Sequence, residues 1–148
     1  PDLSLVRGTP LEGENGIPVN EYLETDVDGV YAAGDIAWYQ DAIFDKRRRV
    51  EHFETAKGQG EVAGANMAGE HQSYRELPYF FSDLFDLEFE FVGDFDLQPD
   101  RVELTGDLSE NTFIARYFQN DRIFAAVCVG REEEEVEGVK EEILESYR

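Results

Sequence analysis

Three segments of this 148-residue chain set polar and aromatic side chains in arrangements with chemical use. In the first, Thr25-Asp26-Val27-Asp28-Gly29-Val30-Tyr31-Ala32-Ala33-Gly34-Asp35, an apolar stretch ends on a glycine and a carboxylate. A strand over Val30–Ala33, apolar on both faces as central parallel strands are, would deliver Asp35 at its C-terminal tip, where open α/β sheets bind ligands. Gly34 lets the backbone approach a ligand, and the Asp35 carboxylate accepts hydrogen bonds from ribose or ribityl hydroxyls. By residue type alone, an aspartate in this place is more often a turn or helix cap. The second segment, Arg48-Arg49-Val50-Glu51-His52-Phe53-Glu54-Thr55-Ala56, opens a helix predicted from about Glu51 to Met67. A helix start carries free N–H groups and a partial positive charge, which suit an anion or an electron-rich ring edge. His52 taken alone reads as a surface or capping histidine. The third segment, Leu77-Pro78-Tyr79-Phe80-Phe81-Ser82-Asp83-Leu84-Phe85, is an aromatic run that either stacks on a flat ring or belongs to a core.

Around these segments, periodicity and turn residues predict the supporting elements. Leu3-Ser4-Leu5-Val6 reads as a short strand, followed by a loop marked by Gly8, Pro10, Gly13, Asn15 and Gly16. Ile17 to Asn20 is a short extended piece, and Trp38, Tyr39 and Lys46 to Arg49 fall in a loop. The helix after Glu51 repeats Ala56, Gly60, Ala63, Gly64 and Met67 at helical spacing, a face of small residues that permits close approach. A linker over 69–73 separates two regions, 1–70 and 75–148. The second region is aromatic-rich, with strands expected at 87–93, 101–105, 112–119 and 122–130. Asn120-Asp121 is the turn of a hairpin between the last two. An amphipathic helix closes the chain from about Glu132, with Val136, Val139, Ile143, Leu144 and Tyr147 on one face and Glu132 to Glu135 at its positive dipole end. There is no internal repeat and no low-complexity tract.

Composition narrows the function classes. The formal net charge of −21 argues against a nucleic-acid partner, because phosphates would be repelled. No apolar run approaches the ~20 residues of a membrane helix, and no signal peptide is visible, so a cytoplasmic protein is expected. The chain begins at Pro1, which fits either processing or a fragment. Lysine occurs only at Lys46, Lys57 and Lys140, a balance shared by salt-adapted surfaces and by ordinary acidic enzymes. Cys128, the single cysteine, sits in an apolar strand-like run and is expected to be a buried structural thiol, with no disulfide or CxxC pair. The run Lys46-Arg47-Arg48-Arg49 could dock an acidic electron carrier or a cofactor phosphate; the preferred reading is that it offsets acid on its own surface.

The Gly34–Asp35 and Arg-Val-Glu-His segments resemble those of the two-dinucleotide-domain flavoprotein reductases of the ferredoxin-reductase and apoptosis-inducing-factor type. The resemblance is strong from Gly16 to Gly93 and weaker from Asp94 to Arg148. It implies an α/β plus α+β chain: the C-terminal end of a Rossmann-like FAD-binding domain, then a small antiparallel-sheet reductase C-terminal domain with a terminal helix. By the resemblance, Asp35 after Gly34 binds the ribityl chain of FAD, and Glu51, His52 and Phe53 line the isoalloxazine ring, Phe53 mainly through its backbone. Phe81 stands where many members have tryptophan, over the nicotinamide site, and where ascorbate-radical reductases have tyrosine. No residue is assigned a catalytic role and no metal is implied. The Gly-rich FAD fingerprint and the NAD-binding domain of the family have no counterpart in these residues, and no GxGxxG occurs.

The resemblance implies FAD as cofactor and NAD(P)H as co-substrate, with electrons passing to a small iron–sulfur protein such as a ferredoxin or rubredoxin. A quinone, an ascorbate radical or oxygen is the alternative acceptor, and a non-catalytic C-terminal interaction module is the reading from another class. A homodimer is left open. Acting by itself, the chain is expected to be inactive.

Overall fold

The computed structural model describes residues 1–148 and divides them into two compact units, Pro1–Glu76 and Leu77–Arg148. In the first unit, β1 (Ile17–Pro18) pairs in parallel with β2 (Ala37–Asp41), which pairs antiparallel with β3 (Lys46–Arg48), Tyr39 lying opposite Arg48. Helix α1 (Phe53–Met67) follows. Leu23, Val19, Ala37, Tyr39 and Tyr74 are the most buried apolar residues of its core.

Three expectations for this unit are corrected. Leu3 to Val6 is not a strand; Ser4–Val6 is a 3-10 turn that buries Val6. Val30–Ala33 joins neither sheet and makes only one bridge, Tyr31 to Glu24. Its backbone is engaged by the nearest loop instead: Thr25 N–H donates to the Val30 carbonyl at 2.9 Å and Ala32 N–H to the Leu23 carbonyl at 3.1 Å. Apolarity marked the stretch for burial, but a strand needs a neighbour with free pairing groups. Trp38, Tyr39 and Lys46 to Arg48 do not lie in a loop; they form the β2–β3 hairpin, and Arg49 follows it. Ala37, Tyr39 and Asp41 of β2 point inward in strand alternation, while Trp38 and Gln40 are half-buried.

Helix α1 has the expected span but a different buried face. Thr55, Gly58, Gln59, Ala63 and Asn66 face inward, whereas Gly60, Gly64 and Met67 are exposed. The buried row runs at i, i+4 and i+3 spacing, and its polar members are bonded internally. Asn66 Nδ2 donates to the carbonyls of Tyr22 at 2.9 Å and Gln72 at 2.8 Å, and Asn66 Oδ1 accepts from Gln72 N–H at 2.7 Å. That side chain closes the loop after the helix.

The second unit is an antiparallel five-stranded sheet of order β4-β5-β8-β7-β6 with a terminal helix. Its strands are β4 (Tyr79–Leu84), β5 (Leu87–Gly93), β6 (Arg101–Asp107), β7 (Thr112–Gln119) and β8 (Arg122–Val129). Central β8 buries Ile123, Phe124, Ala125, Ala126, Cys128 and Val129. Helix α2 (Glu133–Ser146) packs Val136, Val139 and Ile143 into this unit's interior and starts with a capping box between Glu132 and Glu135. Cys128 is a buried free thiol, as expected, and burial raises its pKa to about 11. The aromatic run is edge strand β4. Phe80 stacks on Phe91 with centroids 4.3 Å apart, while Phe81, the next residue, is 58% exposed.

Candidate functional site

In the first unit the structure brings Gly34, Asp35, Glu51, His52 and Phe53 into one neighbourhood. Gly34 is buried with φ +77°, a left-handed conformation open to glycine at little cost. A Cβ there would lie 3.4 Å from the Ala56 Cβ, so the Gly34–Ile36 turn rests on the first turn of α1. The Gly34 N–H donates to Oε1 of Gln59, two turns into the helix, at 2.8 Å. Asp35 is exposed at the tip of this turn, and its carbonyl accepts from Arg49 Nη1 at 3.0 Å.

His52 is the N-cap of α1. Its backbone is extended, its carbonyl accepts the first helical bond from Ala56 N–H at 2.9 Å, and its side chain does not cap. The N–H groups of Phe53, Glu54 and Thr55 therefore precede the first helical bond and have no acceptor within the helix. Phe53 is 76% exposed at this end. His52 itself is half-buried. Burial, and secondarily the Arg48 guanidinium, lower its pKa below the ordinary histidine value, against the opposite pull of the Asp35 carboxylate. Glu51 is exposed and pairs with Arg49, which lowers its pKa. Phe81 belongs to the second unit, on β4, with its ring 6.5 Å from that of Tyr79.

One residue of this neighbourhood, Gln59, escaped the sequence reading, and two arginines have partners that it did not foresee. Gln59 is fully buried, and its Nε2 has no hydrogen-bond partner. Arg49 ties Asp35 to Glu51, and Arg48 forms a buried ion pair with Asp41 at 3.3 Å. The reading of Lys46–Arg49 as a surface offset is thus corrected for Arg48, while Arg49 does pair with an exposed carboxylate, that of Glu51. Alternation in β3 turns Arg48 inward toward Asp41 of β2, a signal visible only once the hairpin register is known. Uncapped helical donors and a glycine turn seated on the helix start fit an electron-rich, hydroxyl-bearing cofactor such as a flavin nucleotide. No group of His, Cys, Asp and Glu side chains is arranged to hold a metal ion, and no helix is long and apolar enough to cross a membrane.

Comparison with known proteins agrees with this chemistry. Residues 2–60 match the family model for pyridine nucleotide-disulphide oxidoreductases, a stretch that includes Gly34, Asp35 and the start of α1. The chain is 33% identical over 123 residues to apoptosis-inducing factor 3 of Mus musculus, covering 82% of this chain and 20% of that protein. It is 36% identical over 99 residues to monodehydroascorbate reductase of Pisum sativum, covering 64% and 23%. Among solved structures, the covalent putidaredoxin reductase–putidaredoxin complex superimposes with a TM-score of 0.83 at 29% identity, covering 92% of this chain and 32% of that one. The chain thus spans between about a fifth and a third of the length of these three proteins.

Proposed function

The chain belongs to the pyridine nucleotide-disulphide oxidoreductases, a family dependent on FAD and NAD(P)H, and is ferredoxin-reductase-like; from this we propose that it forms one wall of the flavin site in an oxidoreductase passing electrons from NAD(P)H through FAD to a small iron–sulfur protein. One observation carries the reading: the Gly34–Asp35 turn sits on the uncapped start of α1. When bound, FAD supplies the hydride and single-electron chemistry. The protein's part is to bind, orient and polarise. The Asp35 carboxylate accepts hydrogen bonds from ribityl hydroxyls, and Gly34 lets the backbone come close. The N–H groups at the α1 start offset negative charge at the ring edge. Glu51 and Phe53 line the same edge, with Arg49 holding Glu51. His52 has a lowered pKa, so it stays neutral at pH 7 and adds no charge. Phe81 offers an aromatic face to the nicotinamide.

The match to a putidaredoxin reductase in complex with putidaredoxin supports a ferredoxin-type acceptor. The similarity to a monodehydroascorbate reductase favours an ascorbate radical as the second reading. In the reductase that carries this chain, Asp35→Ala should weaken flavin retention. Each hydrogen bond to a ligand hydroxyl contributes about 0.5–1.5 kcal/mol, so FAD affinity should fall about two- to tenfold. Flavin absorbance retained through dialysis is the readout, and retention equal to wild type removes Asp35 from the site. Steady-state reduction of ferredoxin, rubredoxin, quinone and ascorbate radical by the same enzyme ranks the acceptors.

A further inference from the structure

We infer that Gln59 is a positioning residue of this site: its buried side-chain carbonyl holds the Gly34 amide so that the left-handed turn presents Asp35. The inference rests on the reading of the Gly34–Asp35 turn as part of the flavin site. Glycine samples many backbone conformations, so the turn needs an outside constraint to select one. That constraint spans 25 residues of sequence: Gln59 Oε1 accepts from Gly34 N–H at 2.8 Å, with both residues buried. Because a backbone N–H only donates, the amide orientation of Gln59 is set, with Oε1 toward Gly34 and Nε2 away from it.

Nε2 then has no partner, although Gln59 has 0% exposure. A buried unpartnered donor is costly. A leucine would fill much the same volume without it, so packing alone does not account for a glutamine here. The accepting oxygen does account for it. Arg49 Nη1 in turn donates to the Asp35 carbonyl. The two contacts hold consecutive residues and leave Asp35 exposed.

The test compares Gln59→Leu, which removes the acceptor, with Gln59→Glu, which keeps an accepting oxygen in either protonation state. In the 148-residue chain, hydrogen exchange followed by NMR should find the Gly34 amide protected in wild type and in Q59E, and unprotected in Q59L. In the reductase carrying the chain, Q59L should raise the FAD dissociation constant about tenfold, and Q59E should stay within about twofold of wild type. An unprotected Gly34 amide in wild type overturns the inference, as does Q59E behaving like Q59L. If Q59L frees the amide yet retains FAD as wild type does, while Asp35→Ala loses it, Gln59 is structural and the site reading stands. If both variants retain FAD, the site reading fails and this inference fails with it. Should Q59L not fold, Q59E and the wild-type amide still decide.

Discussion

At Gly34, one backbone angle accounts for most of what an alanine would cost. The residue sits at φ +77°, and a Cβ would meet the Ala56 Cβ at 3.4 Å, ordinary van der Waals contact. The cost is therefore conformational. Gly34→Ala should destabilise the first unit by about 1–2 kcal/mol through the left-handed backbone, and adding Ala56→Gly should not restore it. Urea unfolding of the three variants measures this; full restoration by Ala56→Gly would mean a clash instead. His52 gives a pH signature. Its folded pKa lies below the unfolded value of 6.5, chiefly through burial. The unfolded state then binds the proton more readily, so stability rises with pH in this window and falls as pH drops through 6.5 toward the folded value. His52→Gln should flatten the loss of stability between about pH 7 and pH 5 relative to wild type. Equal slopes in parallel urea titrations would show that the imidazole is not desolvated. Asp35, Glu51 and His52 were singled out by the family resemblance, which rests on local glycine–aspartate and helix-start patterns, and not by their residue types alone. Gln59 and Arg48 were not readable, because their partners lie 25 and 7 residues away and meet only through tertiary packing and hairpin register.

Among the elements, those whose signals are complete within a few residues were read correctly. The β7–β8 hairpin announces itself through Asn120-Asp121, whose φ values of 51° and 60° make a type I′ turn. Helix α2 was readable from the acidic run Glu132 to Glu135 at its positive dipole end, followed by Val136, Val139 and Ile143 on one face. The misread elements depend on partners. Val30–Ala33 looks like a strand by composition, yet its backbone groups pair with residues 23–25. The β2–β3 hairpin was hidden because β3 spans three residues and two of those are arginines, which read as loop. The hairpin turn also supports a prediction. Asp121 holds a left-handed conformation that glycine adopts more easily, and its pair with Arg101, at 3.5 Å, is almost fully exposed on the Asp121 side. Exposed pairs of this kind contribute little. Asp121→Gly should therefore stabilise the second unit by about 0.5–1 kcal/mol, seen as a higher thermal midpoint. A lower midpoint would mean that the Arg101 contact outweighs the backbone gain.

For the whole molecule, the dominant quantity is charge. The chain carries −21 at pH 7, with 34 acidic against 13 basic residues, and acid outnumbers base in both compact units. Several of the few cations are already committed: Arg48 to Asp41, Arg116 to Glu142, and Arg131 to Glu135. The remaining carboxylates repel one another across the surface, and folding brings them closer than they are in the expanded chain. Salt should relieve this. The Debye length is about 30 Å at 0.01 M, about 10 Å at 0.1 M and about 3 Å at 1 M, so most of the screening is complete within the first few tenths molar. The urea midpoint of the 148-residue chain should rise steeply with NaCl at low concentration and then flatten. Urea suits the measurement because guanidinium would add its own screening. A salt effect through water structure would instead keep growing in proportion to concentration. A midpoint that rises linearly to high salt would assign the stabilisation to solvent exclusion, and a flat or falling midpoint would show that the ion pairs, not the surface repulsion, set the electrostatic balance of this fold.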